Sequence, residues 1–111
     1  MELTVAAWHQ RFCQQARWTY QAREYLFRHA GVNGDTRLLD VGCGTGAIIQ
    51  EIENTPEPPA IFGLDIDRGN LAFAQGATRT PHLLQADAHT MPYPAASFDV
   101  TCCHFLLLWV G

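Results

Sequence analysis

The feature that most constrains this chain is a run of alternate glycines set between an apolar strand and an apolar helix. Arg37-Leu38-Leu39-Asp40-Val41 reads as a short buried strand and runs directly into Gly42-Cys43-Gly44-Thr45-Gly46. Ala47 to Asn54 follows as a helix, with Ile48, Ile49 and Ile52 on one face. Glycines at such a turn adopt backbone conformations closed to other residues and let a ligand approach the main chain closely.

The rest of the chain continues the alternation. Thr55 to Pro59 contains three prolines and is a loop. Ala60-Ile61-Phe62-Gly63-Leu64 is a second apolar strand ending at Asp65, and Asp67 is placed to cap the next helix, which carries Leu71, Ala72, Phe73 and Ala74. His82 to Ala86 is a third strand ending at Asp87; a loop with Pro92 and Pro94 follows, then a fourth strand from Phe98 to Phe105, apolar on both faces. Upstream, residues from about Leu3 to Ala30 lack Gly and Pro and read as helix, with a break near Arg17-Trp18-Thr19. This order predicts an α/β fold: a Rossmann-like parallel sheet with helices on its faces, preceded by an N-terminal helical cap over 1–30, with the sheet domain over 31–111. Right-handed crossovers put every strand's C-terminal end on one edge, so Asp40, Asp65 and Asp87 are expected to line the edge where open α/β sheets bind ligands.

Composition narrows the function classes. Of the 111 residues, 48% are apolar and 16% charged, the balance of a globular domain. The net charge is -4, there is no lysine, and the arginines are scattered, so no basic patch for nucleic acid is expected. The longest apolar run, Phe105 to Val110, is too short to span a bilayer. The opening Met1-Glu2-Leu3-Thr4 has no basic segment leading into an apolar run, which places the expected compartment in the cytoplasm. Cys13, Cys43, Cys102 and Cys103 lack ligand spacing, so neither a metal site nor a disulfide framework is expected.

The loop itself leaves two cofactor classes open. The dinucleotide pattern G-x-G-x-x-G/A is satisfied by Gly42, Gly44 and Ala47, which keeps an NAD-dependent oxidoreductase as an alternative. Against it stand the extra Gly46 and the carboxylate of Asp40 just before the loop, which repels a pyrophosphate and suits a cationic group. Asp65 stands where an acid accepts from ribose hydroxyls, and Asp87 where one accepts from an exocyclic adenine amine. Three acids around one pocket fit a nucleoside ligand that carries ammonium and sulfonium charge. Each also has a bland reading: Asp40 orienting the loop backbone, Asp87 ordering its turn, Asp67 simply capping a helix.

Leu38-Leu39-Asp40-Val41-Gly42-Cys43-Gly44-Thr45-Gly46 resembles the signature loop of class I S-adenosylmethionine-dependent methyltransferases. Gly63-Leu64-Asp65-Ile66-Asp67 resembles their second acidic motif. Gln85-Ala86-Asp87-Ala88, with Met91-Pro92-Tyr93-Pro94 and Ser97-Phe98-Asp99-Val100, resembles the third and the start of the fourth strand. The flavour is that of the small-molecule enzymes of ubiquinone and menaquinone biosynthesis. The resemblance implies S-adenosyl-L-methionine as cofactor, a small-molecule methyl acceptor, and strand order 3-2-1-4. It implies that Gly42, Gly44 and Gly46 flank the methionine portion and that Asp40 holds its amino group. Asp65 would bind the ribose and Asp87 would face adenine with the Ala88 backbone, while Ile66 and Met91 sandwich the ring. His104, at the end of the fourth strand, is the weak candidate for a catalytic base; packing is its bland reading. Arg17, Trp18 and Tyr20 of the helical cap are further candidates for contact with the ligand. The family core has seven strands, so a chain ending just after the fourth is expected to be truncated. Its exposed fourth strand is expected to associate with a second copy or a partner chain. A non-catalytic cofactor-binding or interaction module is the remaining alternative.

Overall fold

The computed structural model describes residues 3–104. Its centre is the strand that precedes the glycine loop. β1 (Arg37–Val41) pairs in parallel with β2 (Ala60–Asp65) on one side. On its other side it pairs in parallel with β4 (Val100–Cys103), while β3 (Leu83–Gln85) lies outside β2. The strand order is β3-β2-β1-β4, as expected.

Alternation along the strands divides the core in two. Leu38 and Ile61 point to one face, where they meet Ile48, Ile49 and Ile52 of α3 (Ala47–Glu53) and Leu71 of α4 (Arg68–Ala77). Ala16 of α1 (Val5–Trp18) is fully buried in the same cluster, and Phe27 of α2 (Tyr20–His29) packs against it. Leu39, Val41 and Leu64 point to the opposite face, where residues of the 86–98 segment cover them: Ala86, Ala88, Tyr93 and Phe98. Chain direction explains this division. β1, β2 and β3 step the same way across the sheet, so right-handed crossovers put α3 and α4 on one face. The chain then returns past β1 to form β4, and the connection runs over the other face.

Local chemistry sets the helix boundaries. Thr4 caps α1 by accepting from the Ala7 N–H at 3.1 Å. The break expected near residues 17–19 falls at Thr19, whose hydroxyl donates to the carbonyls of Gln15 and Ala16, both at 3.2 Å. Arg23 of α2 is buried but partnered. It donates to the Thr19 hydroxyl at 3.1 Å and the Ala16 carbonyl at 3.3 Å, and pairs with Glu51 of α3 at 2.8 Å. Asp67 caps α4 as its position implied, accepting from the Asn70 N–H at 2.9 Å.

Two strands are shorter than their apolar runs. β3 stops at Gln85 and β4 begins only at Val100. Phe98 leaves the ladder to pack edge-on against Phe62 at 5.1 Å and Tyr93 at 4.8 Å. Asp99 clamps the entry to β4: its carboxylate accepts from the Arg37 N–H at 2.8 Å and its N–H donates to the Arg37 carbonyl at 2.9 Å. Along β4, Val100 and Cys102 are half-buried while Thr101 and Cys103 are exposed on the other face. The apolar run Phe105 to Val110 lies outside the described residues. No helix among the described residues is long and apolar enough to cross a membrane.

Candidate functional site

The sheet reverses its strand order at β1, which has β2 on one side and β4 on the other. At such a switch point the loops leaving neighbouring strands diverge and open a crevice beyond their C-terminal ends. The glycine loop occupies this position.

Gly42, Gly44 and Gly46 all take positive φ, at +72°, +58° and +87°. The alternate spacing therefore marks residues held one after another in the left-handed region, where a side chain is strained. The loop is pinned to β2 at its start: the N–H groups of Gly42 and Cys43 both donate to the Leu64 carbonyl, at 2.7 and 2.9 Å. The glycines differ in what surrounds them. A Cβ on Gly44 would meet nothing within 4 Å among the described residues, which leave open space against the backbone there. A Cβ on Gly46 would meet Thr78 Cγ2 at 2.7 Å and Ala74 Cβ at 3.3 Å, so this position brings the loop tight against α4.

Asp65 fastens the same loop from the end of β2. Its Oδ2 accepts from the Gly44 N–H at 2.7 Å and its Oδ1 from the Asp67 N–H at 2.8 Å. Both oxygens are thus fixed in direction, and each keeps lone-pair capacity for a further donor.

Asp40 is buried, 1% exposed. The Cys102 thiol donates to its Oδ1 at 3.8 Å, and His104 Nδ1 lies 3.8 Å from the same oxygen. Burial raises the Asp40 pKa above the usual carboxylate value, with the neighbouring His104 and then Cys102 acting in the opposite direction. Burial, followed by the charge of Asp40, also pushes the Cys102 thiol well up, so it stays protonated. Among the described residues, His104 Nδ1 is buried without a hydrogen-bond partner. The result is a water-poor carboxylate short of donors, which a cationic group would satisfy. Asp40, Cys102 and His104 bring ligand-type atoms within 4.8 Å of one another, a convergence the linear spacing of the cysteines did not reveal. Parallel pairing of β1 with β4 creates it across 62 residues of chain.

Asp87 lies two residues beyond the end of β3 and is exposed. Its Oδ1 accepts from the His89 N–H at 2.8 Å and faces His89 Nδ1 at 2.8 Å. The His89 N–H, and then the ring, hold the Asp87 carboxyl below its usual range. The turn-ordering role is therefore present, and Oδ2 remains available to a ligand. Ile66, in the turn after β2, is 63% exposed, and Met91, in the loop after β3, is 45% exposed. Ala88 is partly buried against Leu39, Val41 and Leu64. Arg17 and Trp18 are exposed. Tyr20 lines a different cavity, of about 410 Å³, between α2, α3 and the 55–59 loop. That cavity lies toward the strands' N-terminal edge, away from the glycine loop. One residue to which the sequence assigned no role does reach the loop: His9 of α1, whose Nδ1 is 2.7 Å from the Thr45 hydroxyl.

With this geometry in hand, the relatives are informative. A family model described as a methyltransferase domain matches residues 39–111, more than half of the chain. The chain is 33% identical over 101 residues to demethylmenaquinone methyltransferase of Tropheryma whipplei, covering 86% of this chain and 38% of that protein. It is 32% identical over 106 residues to cycloartenol-C-24-methyltransferase of Arabidopsis thaliana, covering 83% and 31%. Among solved structures, it is similar to CalS10, an amino pentose methyltransferase of Micromonospora echinaspora with S-adenosylmethionine bound. There the TM-score is 0.62 at 27% identity, over 95% of this chain and 43% of that one. The chain thus spans between about a third and two fifths of the length of these curated relatives. Fold, loop and family model agree, and the chain belongs to the methyltransferase domain family, the class I S-adenosylmethionine-dependent enzymes.

Proposed function

We propose that this chain binds S-adenosyl-L-methionine along the C-terminal edge of its sheet, and that the whole protein methylates a small-molecule acceptor. The observation that carries the proposal is Asp40: among the described residues it is a buried carboxylate, beside a glycine loop with open space at Gly44, whose near neighbours are a thiol and an imidazole nitrogen without a hydrogen-bond partner. A dinucleotide's pyrophosphate would be repelled there, and an ammonium group would be attracted.

The residues fit the cofactor in kind. Asp65 has lone pairs left for ribose hydroxyls, and Asp87 keeps Oδ2 for an amine. Ile66 and Met91 offer exposed apolar surface for the adenine ring. When bound, the cofactor supplies an activated methyl group on a sulfonium. The work left to the protein is to position the reactants and exclude water, so no nucleophilic side chain is needed. His104 closes the site beside Asp40, at the end of β4; we assign it to holding the carboxylate's environment, with proton removal from the acceptor as its second role.

The relatives' names include a menaquinone precursor and a sterol, which supports an apolar acceptor. The test is transfer of a tritiated methyl group from S-adenosylmethionine by the full-length protein to a panel of quinols, fatty acids and sterols. Label in one acceptor class, lost in Asp65→Ala, is the expected result. Cofactor bound with no label transferred to any class would favour a binding module instead. We further propose that β4, an edge strand among the described residues with Thr101 and Cys103 exposed, is covered by a second copy or a partner chain. Sedimentation of the purified chain would show a dimer if a second copy covers it; a monomer at all concentrations would exclude the second copy and leave a different partner chain.

A further inference from the structure

We infer that His9 is a positioning residue that holds the glycine loop in its ligand-ready shape, so that α1 is coupled to the cofactor site. The inference rests on the cofactor reading above.

Thr45 is the residue at stake. It lies between Gly44 and Gly46, both in the left-handed region, and is 0% exposed. A backbone flanked by two such glycines has wide conformational freedom, so something outside the turn must fix it. Asp65 fixes one side through the Gly44 N–H at 2.7 Å. On the other side the Thr45 hydroxyl is 2.7 Å from His9 Nδ1, an interaction spanning 36 residues. The far side of the imidazole faces α3. Nε2 faces Gln50 Oε1 of α3 at 3.2 Å, and that oxygen only accepts. With Nε2 donating to that oxygen, Nδ1 is the nitrogen that accepts from the Thr45 hydroxyl; the link between ring and hydroxyl holds in either direction. The ring also packs on Phe73 of α4 with centroids 4.7 Å apart, and Cys13 Sγ lies 3.4 Å from Nε2. One side chain of α1 thus ties the loop to the two helices that follow β1 and β2. Without it, a buried hydroxyl would lose its partner at the turn where Gly44 offers open space to a ligand.

Gluing α1 to α3 is the simpler role, and two substitutions separate it from loop positioning. Asn at position 9 puts an amide oxygen near the place of Nδ1, keeping a partner for Thr45 while losing Gln50. Gln reaches toward the place of Nε2, keeping Gln50 while abandoning Thr45.

The experiment is calorimetric titration of S-adenosylhomocysteine into wild type, His9→Asn, His9→Gln, Thr45→Val and the His9→Gln/Thr45→Val double variant, with thermal melts alongside. His9→Gln and Thr45→Val should each weaken binding about tenfold. The double variant should be no weaker than either single, the mark of one shared interaction. His9→Asn should bind within about twofold of wild type even if it melts earlier. Hydrogen exchange at the Gly46 amide, followed without ligand, should be faster in His9→Gln than in His9→Asn, a readout that survives a general loss of affinity. Wild-type affinity in both His9→Gln and Thr45→Val, or full additivity in the double variant, overturns the coupling while leaving the cofactor reading intact. Failure of wild type itself to bind removes the cofactor reading and the coupling with it.

Discussion

At the scale of single residues, the glycines of the loop do different jobs, and substitution should separate them. Gly46→Ala combines a left-handed backbone with a methyl group 2.7 Å from Thr78 Cγ2, and should destabilise the fold by about 3 kcal/mol. Gly44→Ala carries only the backbone strain, because its Cβ enters open space, and should cost about 1 kcal/mol. It should nonetheless weaken ligand binding more than Gly46→Ala does per unit of lost stability, since the methyl would occupy the ligand's side of the loop. Urea melts and titrations on both variants check this ordering. Asp40 makes a second prediction with a definite sign. Its folded-state pKa is raised by burial, so between the ordinary carboxylate value and the raised one the native chain binds more protons than the unfolded chain does. Its contribution therefore favours folding at low pH and declines as pH rises from the ordinary carboxylate value through the raised one. Asp40→Asn, with no charge to bury, should be more stable than wild type at neutral pH, and the gap should close on acidification. The same variant should lose cofactor affinity, a trade of stability for function at one position.

At the scale of elements, the features readable in the sequence are those that depend on near neighbours. Asp67 caps α4 through a bond spanning three residues, and Asp67→Ala should cost about 1 kcal/mol in a thermal or urea melt. The helix break at Thr19 and the strand–loop–helix of residues 37–53 are equally local. Elements defined by tertiary contact were harder to read. The apolar run from Phe98 looked like strand throughout, yet Phe98 is diverted into an aromatic cluster with Phe62 and Tyr93, and β4 starts two residues later. Asp87 was placed at a strand end and instead sits in a turn that it orders through His89. His9 looked like any helical histidine, because its partners Thr45 and Gln50 are 36 and 41 residues away. What marked the site in the sequence was the acid–glycine pattern; what assembles it is the parallel pairing of β1 with both β2 and β4.

At the scale of the whole molecule, one topological fact organises the rest. The chain builds outward from β1 to β3 and then crosses back to place β4 on β1's free side. This single reversal puts the helices on one face and the 86–98 segment on the other. It also brings Asp40, Cys102 and His104 together at the crevice where the glycine loop begins. The acids proposed to hold a nucleoside with cationic groups thus stand at or just beyond the ends of successive strands, held by backbone amides or by burial before any ligand arrives. The most direct test of this account is calorimetric titration of the purified chain with S-adenosylhomocysteine, with NAD as the control. The account predicts saturable binding of the first, none of the second, and a loss of at least about tenfold in Asp65→Ala. Equal binding of NAD, or binding of S-adenosylhomocysteine that is indifferent to Asp65, would contradict it.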